Sequence, residues 1–134
     1  MIDIENEVYS SVESVLRAEF PNIFMVGEYV PAPASFPCVS FVEVINSIYR
    51  RSSTNEEIEN HAVITYEANV YSNKSKGKKS ECKKIIKLID SKMAELGFIR
   101  RFLQPIPNIA DATIYRILGR YQGVVDKNKI IYRR

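Results

Sequence analysis

Apolar residues recur at helical spacing in the first part of the chain. One face of such a helix would hold Ile4, Val8, Val12, Val15 and Leu16. The pattern predicts a helix over residues 3–19. Asp3 can accept hydrogen bonds from the free amides of the first turn. Pro21 ends the helix, because a proline disfavours helical geometry in the residue before it.

Strand patterns follow the helix. Residues 23–30 predict a short strand interrupted by Gly27, and the three prolines within residues 31–37 predict a stiff extended connection. Residues 38–49 are rich in Val, Ile, Phe and Tyr and predict a long strand. Its packing residues would include Val39, Phe41 and Ile45.

A second long strand is predicted beyond a polar stretch. In residues 62–70 every second side chain belongs to one set, and this period of two is typical of a half-buried strand. The first set is Ala62, Ile64, Tyr66, Ala68 and Val70, and the residues between them are Val63, Thr65, Glu67 and Asn69. Residues 50–60 between the two strands are polar. The pattern therefore predicts a β-hairpin with a long tip.

The remaining pattern adds one helix and further strands. Residues 75–96 predict a helix that ends at Gly97, a residue well suited to the left-handed position after a helix. Its apolar stripe would comprise Cys82, Ile85, Ile86, Ile89, Met93 and Leu96. Strands are then predicted over residues 98–104 and 112–125, with a short addition at 130–132.

The predicted order is α, β, β, β, α, β, β. Strands in runs with helices between them indicate the α+β class. We expect a mixed or antiparallel sheet with a long β-hairpin and two helices packed on the sheet.

The composition agrees with a globular protein. Among the 134 residues, 46% are hydrophobic and 26% are charged, which is typical of one domain over residues 1–134. Cys38 and Cys82 each fall in an apolar pattern, which predicts small buried thiols. Acidic residues interrupt the N-terminal region, and no apolar run approaches the roughly 18 residues of a membrane span. We therefore expect a soluble protein, made in a reducing cytoplasm, with no membrane partner.

Residues that carry enzyme chemistry are scarce. His61 is the only histidine. No serine or cysteine lies in a nucleophile signature, and the cysteines and histidine have no metal-ligand spacing. Gly77 precedes a lysine, but Ser72 stands where a phosphate-binding loop needs its first glycine. We therefore expect no enzyme activity, no cofactor and no bound metal.

Lysines crowd the predicted start of the second helix. This set, here called the lysine face, comprises Lys74, Lys76, Lys78, Lys79, Lys83, Lys84 and Lys87, relieved by Glu81 alone. Cations at a helix N-terminus oppose the helix dipole, and an anionic partner would offset that cost. Three interpretations stay open: a solvated face, a contact with an acidic protein, and a contact with nucleic acid. Aromatic residues do not interleave the lysines as they do in single-strand binders.

Charged residues also mark the predicted hairpin tip. They are Arg50, Arg51, Glu56, Glu57 and Glu59. Charge pairing within a solvated tip explains them, and nothing favours a pair of catalytic carboxylates.

The second half of the chain resembles a known family. The resemblance covers about residues 60–134 and depends on the sequences at 64–74, 96–98, 105–108, 111–116, 120–121 and 131–134. These are ITYEANVYSNK, LGF, PIPN, DATIYR, RY and IYRR. In this combination the chain resembles the tail terminator (tail completion) proteins of phages and prophages of Gram-positive bacteria.

The resemblance implies a structural virion protein that forms a ring, usually of six subunits. Such a ring caps the tail tube, ends its polymerisation and joins the tail to the head connector. The implied partners are further copies of the chain, the tube protein and the connector proteins, with DNA passing transiently through the ring. The implied location is the virion tail, assembled in the bacterial cytoplasm. A head–tail connector protein and a DNA-contacting basic module are the alternatives.

A ring of identical subunits needs two complementary patches on each subunit. The predicted contacts are the hairpin tip around Arg50 to Glu59, reaching a neighbouring subunit or the tube, and the lysine face.

Overall fold

Two helices and the strands of a mixed sheet, which come in runs of three, confirm the predicted α+β class. The computed structural model describes residues 1–30, 32–48, 61–107, 111–129 and 131–132. Within these ranges the elements are α1 (Glu5–Glu19), β1 (Phe24–Val26), β2 (Cys38–Ile48), β3 (His61–Ser72), α2 (Lys78–Leu96), β4 (Ile99–Pro105), β5 (Tyr115–Asp126) and β6 (Ile131–Tyr132). None of the helices described is long and apolar enough to cross a membrane.

The strands lie in the order β1-β2-β3-β5-β4, with β6 paired to β5. β1 runs parallel to β2, and the other pairs are antiparallel. The arms of the predicted hairpin are confirmed, since β2 and β3 pair from Cys38 opposite Tyr71 to Ile48 opposite Ala62. The predicted tip, residues 50–60, lies outside the described residues.

A β-bulge in β2 overturns one predicted packing residue. Val39 and Phe41 are buried as predicted, but Ile45 is 44% exposed. The register with β3 shifts between Glu43 and Ile45, so Ile45 lies opposite Thr65 rather than continuing the side of Phe41. One extra residue reverses the alternation of side chains, because that alternation has a period of two.

Helix α1 follows its predicted pattern closely. Val8, Val12 and Leu16 are buried. The Oδ1 of Asp3 accepts a hydrogen bond from the amide of Glu5 at 3.1 Å. At the other end the amide of Phe20 donates to the carbonyl of Leu16 at 2.7 Å, and the chain turns at Pro21.

Helix α2 begins later than predicted, at Lys78 rather than residue 75. Gly77 has a φ of 83°, a left-handed conformation that cannot continue a right-handed helix. Gly97 ends the helix with a φ of 104°, as its position predicts. The residues buried under the helix are Cys82, Ile85, Ile86, Ile89 and Met93.

The two helices and the sheet share one core, centred on Tyr66. The Tyr66 ring stacks on Phe41 with a centroid distance of 5.1 Å and meets Phe98 edge-on at 5.4 Å. The alternate residues of β3 that join this core are Ala62, Ile64, Tyr66, Ala68 and Val70. Both helices contribute to the same cluster, so they cover one face of the sheet.

We expect the free energy of unfolding to fall as the pH rises above 9.0, the ordinary pKa of a cysteine. Burial raises the pKa of Cys38 to about 11 and that of Cys82 to about 12. Burial also raises the pKa of Tyr66 and Tyr121 above 10.0. Above these ordinary values the unfolded chain loses protons that the folded chain keeps, so rising pH favours unfolding. Urea titrations at neutral and alkaline pH measure the effect, and a flat profile above 9.0 would contradict it.

Candidate protein-interaction surfaces

One face of the sheet carries no helix from the described part of the chain. We call it the open face. Its central members are the residues of β3 and β5 that alternate with the core positions. They are Val63, Thr65, Glu67, Asn69 and Tyr71 on β3, and Arg116, Leu118, Arg120, Gln122 and Val124 on β5.

Arg116 is held firmly at one end of the open face. Its Nε and Nη2 donate to the Oδ1 of Asn69 at 2.9 Å and 2.7 Å. The guanidinium carbon lies 5.4 Å from the centroid of the Tyr71 ring, a cation–π distance. The Tyr71 hydroxyl donates in turn to the carbonyl of Val30 at 3.4 Å. The arginine is therefore oriented by two neighbours on the adjacent strand.

Two more arginines continue the row. The Nε of Arg120 lies 3.6 Å from the Oε2 of Glu67 across the β3–β5 pair. Arg101 donates twice to the Oε1 of Gln122, at 3.0 Å and 2.8 Å. The Nε2 of Gln122 then donates to the Oγ1 of Thr65 at 3.4 Å. The open face thus presents ordered guanidinium groups that stay charged at all physiological pH values.

Exposed apolar side chains accompany the arginines. Ile45 of β2 and Phe102 of β4, which are 44% and 38% exposed, lie on the open face. Ile48 is 52% exposed but lies on the opposite face, because it pairs with the core residue Ala62. Pre-oriented arginines beside exposed aromatic and aliphatic groups are typical of protein interfaces.

The lysine face is only partly helical. Lys74 and Lys76 precede α2, whereas the predicted helix over residues 75–96 would have held Lys76. The Nζ of Lys78 donates hydrogen bonds to the carbonyls of Ala112 and Thr113, at 3.4 Å and 3.3 Å. Glu81 accepts a hydrogen bond from Ser72 at 2.7 Å, so its carboxylate points at β3.

The other helical lysines remain exposed to solvent. They are Lys79, Lys83, Lys84 and Lys87. None of the four forms an ion pair with a carboxylate of the described ranges. These lysines are therefore available to an anionic partner.

The predicted contact at the hairpin tip lies outside the part of the chain that the structure describes. Arg50, Arg51, Glu56, Glu57 and Glu59 all lie outside the described residues.

Groups with reactive potential do not converge in the parts of the chain that the structure describes. His61 is half-buried at the start of β3, and Cys38 and Cys82 are buried free thiols, as predicted for the cysteines. No group of three or more His, Cys, Asp or Glu residues is placed to hold a metal within the described ranges.

A hollow of about 400 Å³ lies near the end of the open face. Its lining is Pro105, Ile106, Pro107, Ala112, Ile114, Tyr115 and Arg116.

Sequence reasoning missed the row of arginines. The signal that could have found it is the strand alternation itself, since Arg116 and Arg120 occupy the same side of β5. Their partners, Asn69 and Glu67, share one side of β3. The pairing of β3 with β5 was needed to bring the two sets together.

In the described ranges, the fold is an α+β domain whose two helices lie on one side of the sheet, with charged, partly apolar surfaces elsewhere. Comparison with known proteins adds no family: no family model matches the chain, and a search of curated proteins finds no match.

Proposed function

We propose that this chain is a structural subunit of a phage tail or a phage-like particle. Copies of it form a ring at the end of the tail tube, stop tube polymerisation and present a surface to the head connector. The resemblance of residues 60–134 to tail terminators supports this function.

The observation that carries the proposal is the open face. A sheet that exposes ordered arginines with Ile45 and Phe102 gains stability when another protein covers it, because the apolar area leaves water. Guanidinium groups already held by Asn69 and Gln122 lose little conformational entropy on binding. The open face is therefore the contact that this subunit offers to the tube or the connector.

Strand edges supply a further kind of contact. β4 pairs with β5 alone among the described strands, and β1 pairs with β2 alone. An edge strand leaves one row of amides and carbonyls for a neighbouring chain. A subunit with an open face and two edges can contact its own copies and the tube at the same time.

Tube capping tests the function directly. The chain is added to polymerising tail tube protein of the same particle, and tube length and tube ends are measured by negative-stain electron microscopy. We expect shorter tubes with ring-shaped density at one end. A chain that stays monomeric and leaves the tube length unchanged would contradict the proposed function.

A matched pair of variants tests the open face in the same assay. Ile45→Asp places a charge on the open face, whereas Ile48→Asp makes the same change on the other side of the same strand. We expect Ile45→Asp to reduce capping strongly and Ile48→Asp to reduce it less. Equal loss in both would assign the contact to the end of the strand instead of the open face.

A further inference from the structure

Charges of opposite sign lie along the two edges of the sheet, and we infer that these edges bind each other between copies of the chain. The basic edge is formed by β4 with the adjoining side of α2, and the acidic edge by β1 with the adjoining side of α1. The inference rests on the proposed function for the closure of a ring, and it names the subunit contact that the ring requires.

The basic edge is defined by an ion pair between α2 and β4. The Nη1 of Arg100 lies 3.2 Å from the Oδ1 of Asp90, so this side of α2 faces β4. Lys83 and Lys87 share that side, because they precede Asp90 by seven and three residues. Arg101 adds a further cation on β4 itself. Lysines and arginines thus predominate beside β4, the strand at this edge of the sheet.

The acidic edge is defined by the packing of Tyr9. The Tyr9 ring contacts Phe41, with centroids 6.5 Å apart, and its Cε2 lies 3.6 Å from where a Cβ of Gly27 would stand. This side of α1 therefore faces the β1 end of the sheet. Glu5 and Glu13 share it, since each is four residues from Tyr9.

Two more carboxylates extend the acidic edge. Glu28 is exposed shortly after β1. Glu43 of β2 lies near Glu5 and Asp3, and its Oε1 accepts a hydrogen bond from the Tyr66 hydroxyl at 3.1 Å. Arg17 is a cation on the same side of α1, and its Nη2 lies 3.3 Å from the Oε2 of Glu13. The acids outnumber it.

Distance keeps the two edges from neutralising each other. Four strand spacings separate β1 from β4, which is about 20 Å at the usual separation of strands, whereas charges are screened over about 10 Å at 0.1 M salt. Each edge therefore attracts an opposite charge from outside the molecule.

A second copy of the same chain fits both edges at once. Contact between two basic edges or two acidic edges would place like charges together, which is unfavourable across an interface. When the basic edge of one copy meets the acidic edge of the next, opposite charges pair at the contact. Such a head-to-tail contact closes into a ring when the rotation between neighbouring subunits allows it. Phe102 and Leu103 are exposed on β4, and Tyr29 is exposed just after β1, so apolar contact accompanies the charges.

Charge reversal on each edge tests the inference. Lys83→Glu with Lys87→Glu reverses the basic edge, and Glu5→Lys with Glu28→Lys reverses the acidic edge. All four side chains are exposed, so circular dichroism melting curves should stay close to the wild type. Sedimentation velocity, with and without tube protein, measures the assembly of each variant.

We expect each double variant to self-associate at least about tenfold more weakly than the wild type. Mixing the two double variants should restore mixed assemblies, because the reversed edges are complementary to each other. Assembly of the wild type should weaken at high ionic strength.

Two single variants serve as controls for the kind of charge change. Lys84→Glu changes the same charge on a side chain that lies about 120° round the helix from Asp90, the residue that faces β4. Glu95→Lys changes an acid on α2 whose carboxylate pairs with Lys92 at 3.4 Å. Both controls should assemble like the wild type.

The outcomes separate this inference from the proposed function. Rings that form equally well in the wild type and in both double variants would overturn the edge contact and leave tube capping intact. Double variants that stay monomeric when mixed would also overturn it. The variant Lys83→Glu with Lys87→Glu is also tested for binding to labelled duplex DNA. If it loses DNA binding while its assembly is unchanged, the lysines bind nucleic acid and the edge contact is overturned.

Discussion

Replacement of Phe98 by alanine is expected to lower the free energy of unfolding by about 3–5 kcal/mol. Phe98 is 3% exposed and lies two residues beyond the end of α2, where its amide donates to the carbonyl of Met93 at 2.8 Å. Its ring fills the space between Tyr66 and the backbone of Gly123. Alanine would remove the apolar contact and leave a cavity that the sheet backbone cannot close.

Phe102→Ala is the matched control for that change. The same side chain is removed from β4, but Phe102 is 38% exposed. The expected loss is therefore small, within about 1 kcal/mol for a surface position. Urea unfolding followed by circular dichroism measures both variants. Similar losses at the two positions would contradict the central role given to Phe98.

Gly123→Ala is expected to cost about 1–3 kcal/mol for the complementary reason, overpacking. A Cβ added at Gly123 would lie 2.7 Å from the Cδ1 and 2.9 Å from the Cε1 of Phe98. Both distances are shorter than carbon atoms tolerate, so the ring or the strand β5 must move. Neither moves freely, because the ring is enclosed and β5 is paired on both sides.

Gly27→Ala is the control for Gly123→Ala. A Cβ at Gly27 would meet the Tyr9 ring at 3.6 Å, an ordinary contact distance, and the unfolding free energy should change little. The double variant of Gly123→Ala with Phe98→Ala gives a sharper test. Alanine at position 98 vacates the space, so the added cost of Gly123→Ala should largely vanish in that background. Simple additivity of the two losses would argue against the steric explanation.

Most of the secondary structure could be predicted from local patterns. The burial of Val8, Val12 and Leu16 follows from helical spacing, and the end of α2 follows from Gly97, since both depend on residues close in the chain. Ile45 could not be placed by the same reasoning. The bulge that reverses its direction is a property of the pairing of β2 with β3, which alternation within β2 does not reveal.

The candidate surfaces divide in the same way. The lysine face is a run of neighbouring residues, so its charge was visible in the sequence. The arginine row was not, because Arg116 meets Asn69 across 47 positions of chain. The segregation of acidic and basic edges was equally hidden, since it depends on which strand lies last at each side of the sheet.

The sequence by itself determined the element order, the α+β class and which helix faces are apolar, because each depends on side-chain periodicity within one element. Only the tertiary structure decided which sheet face stays open, which side chains orient the arginines and which charges share an edge. Those properties arise from strand order and register, and contacts between residues far apart in the chain set them both.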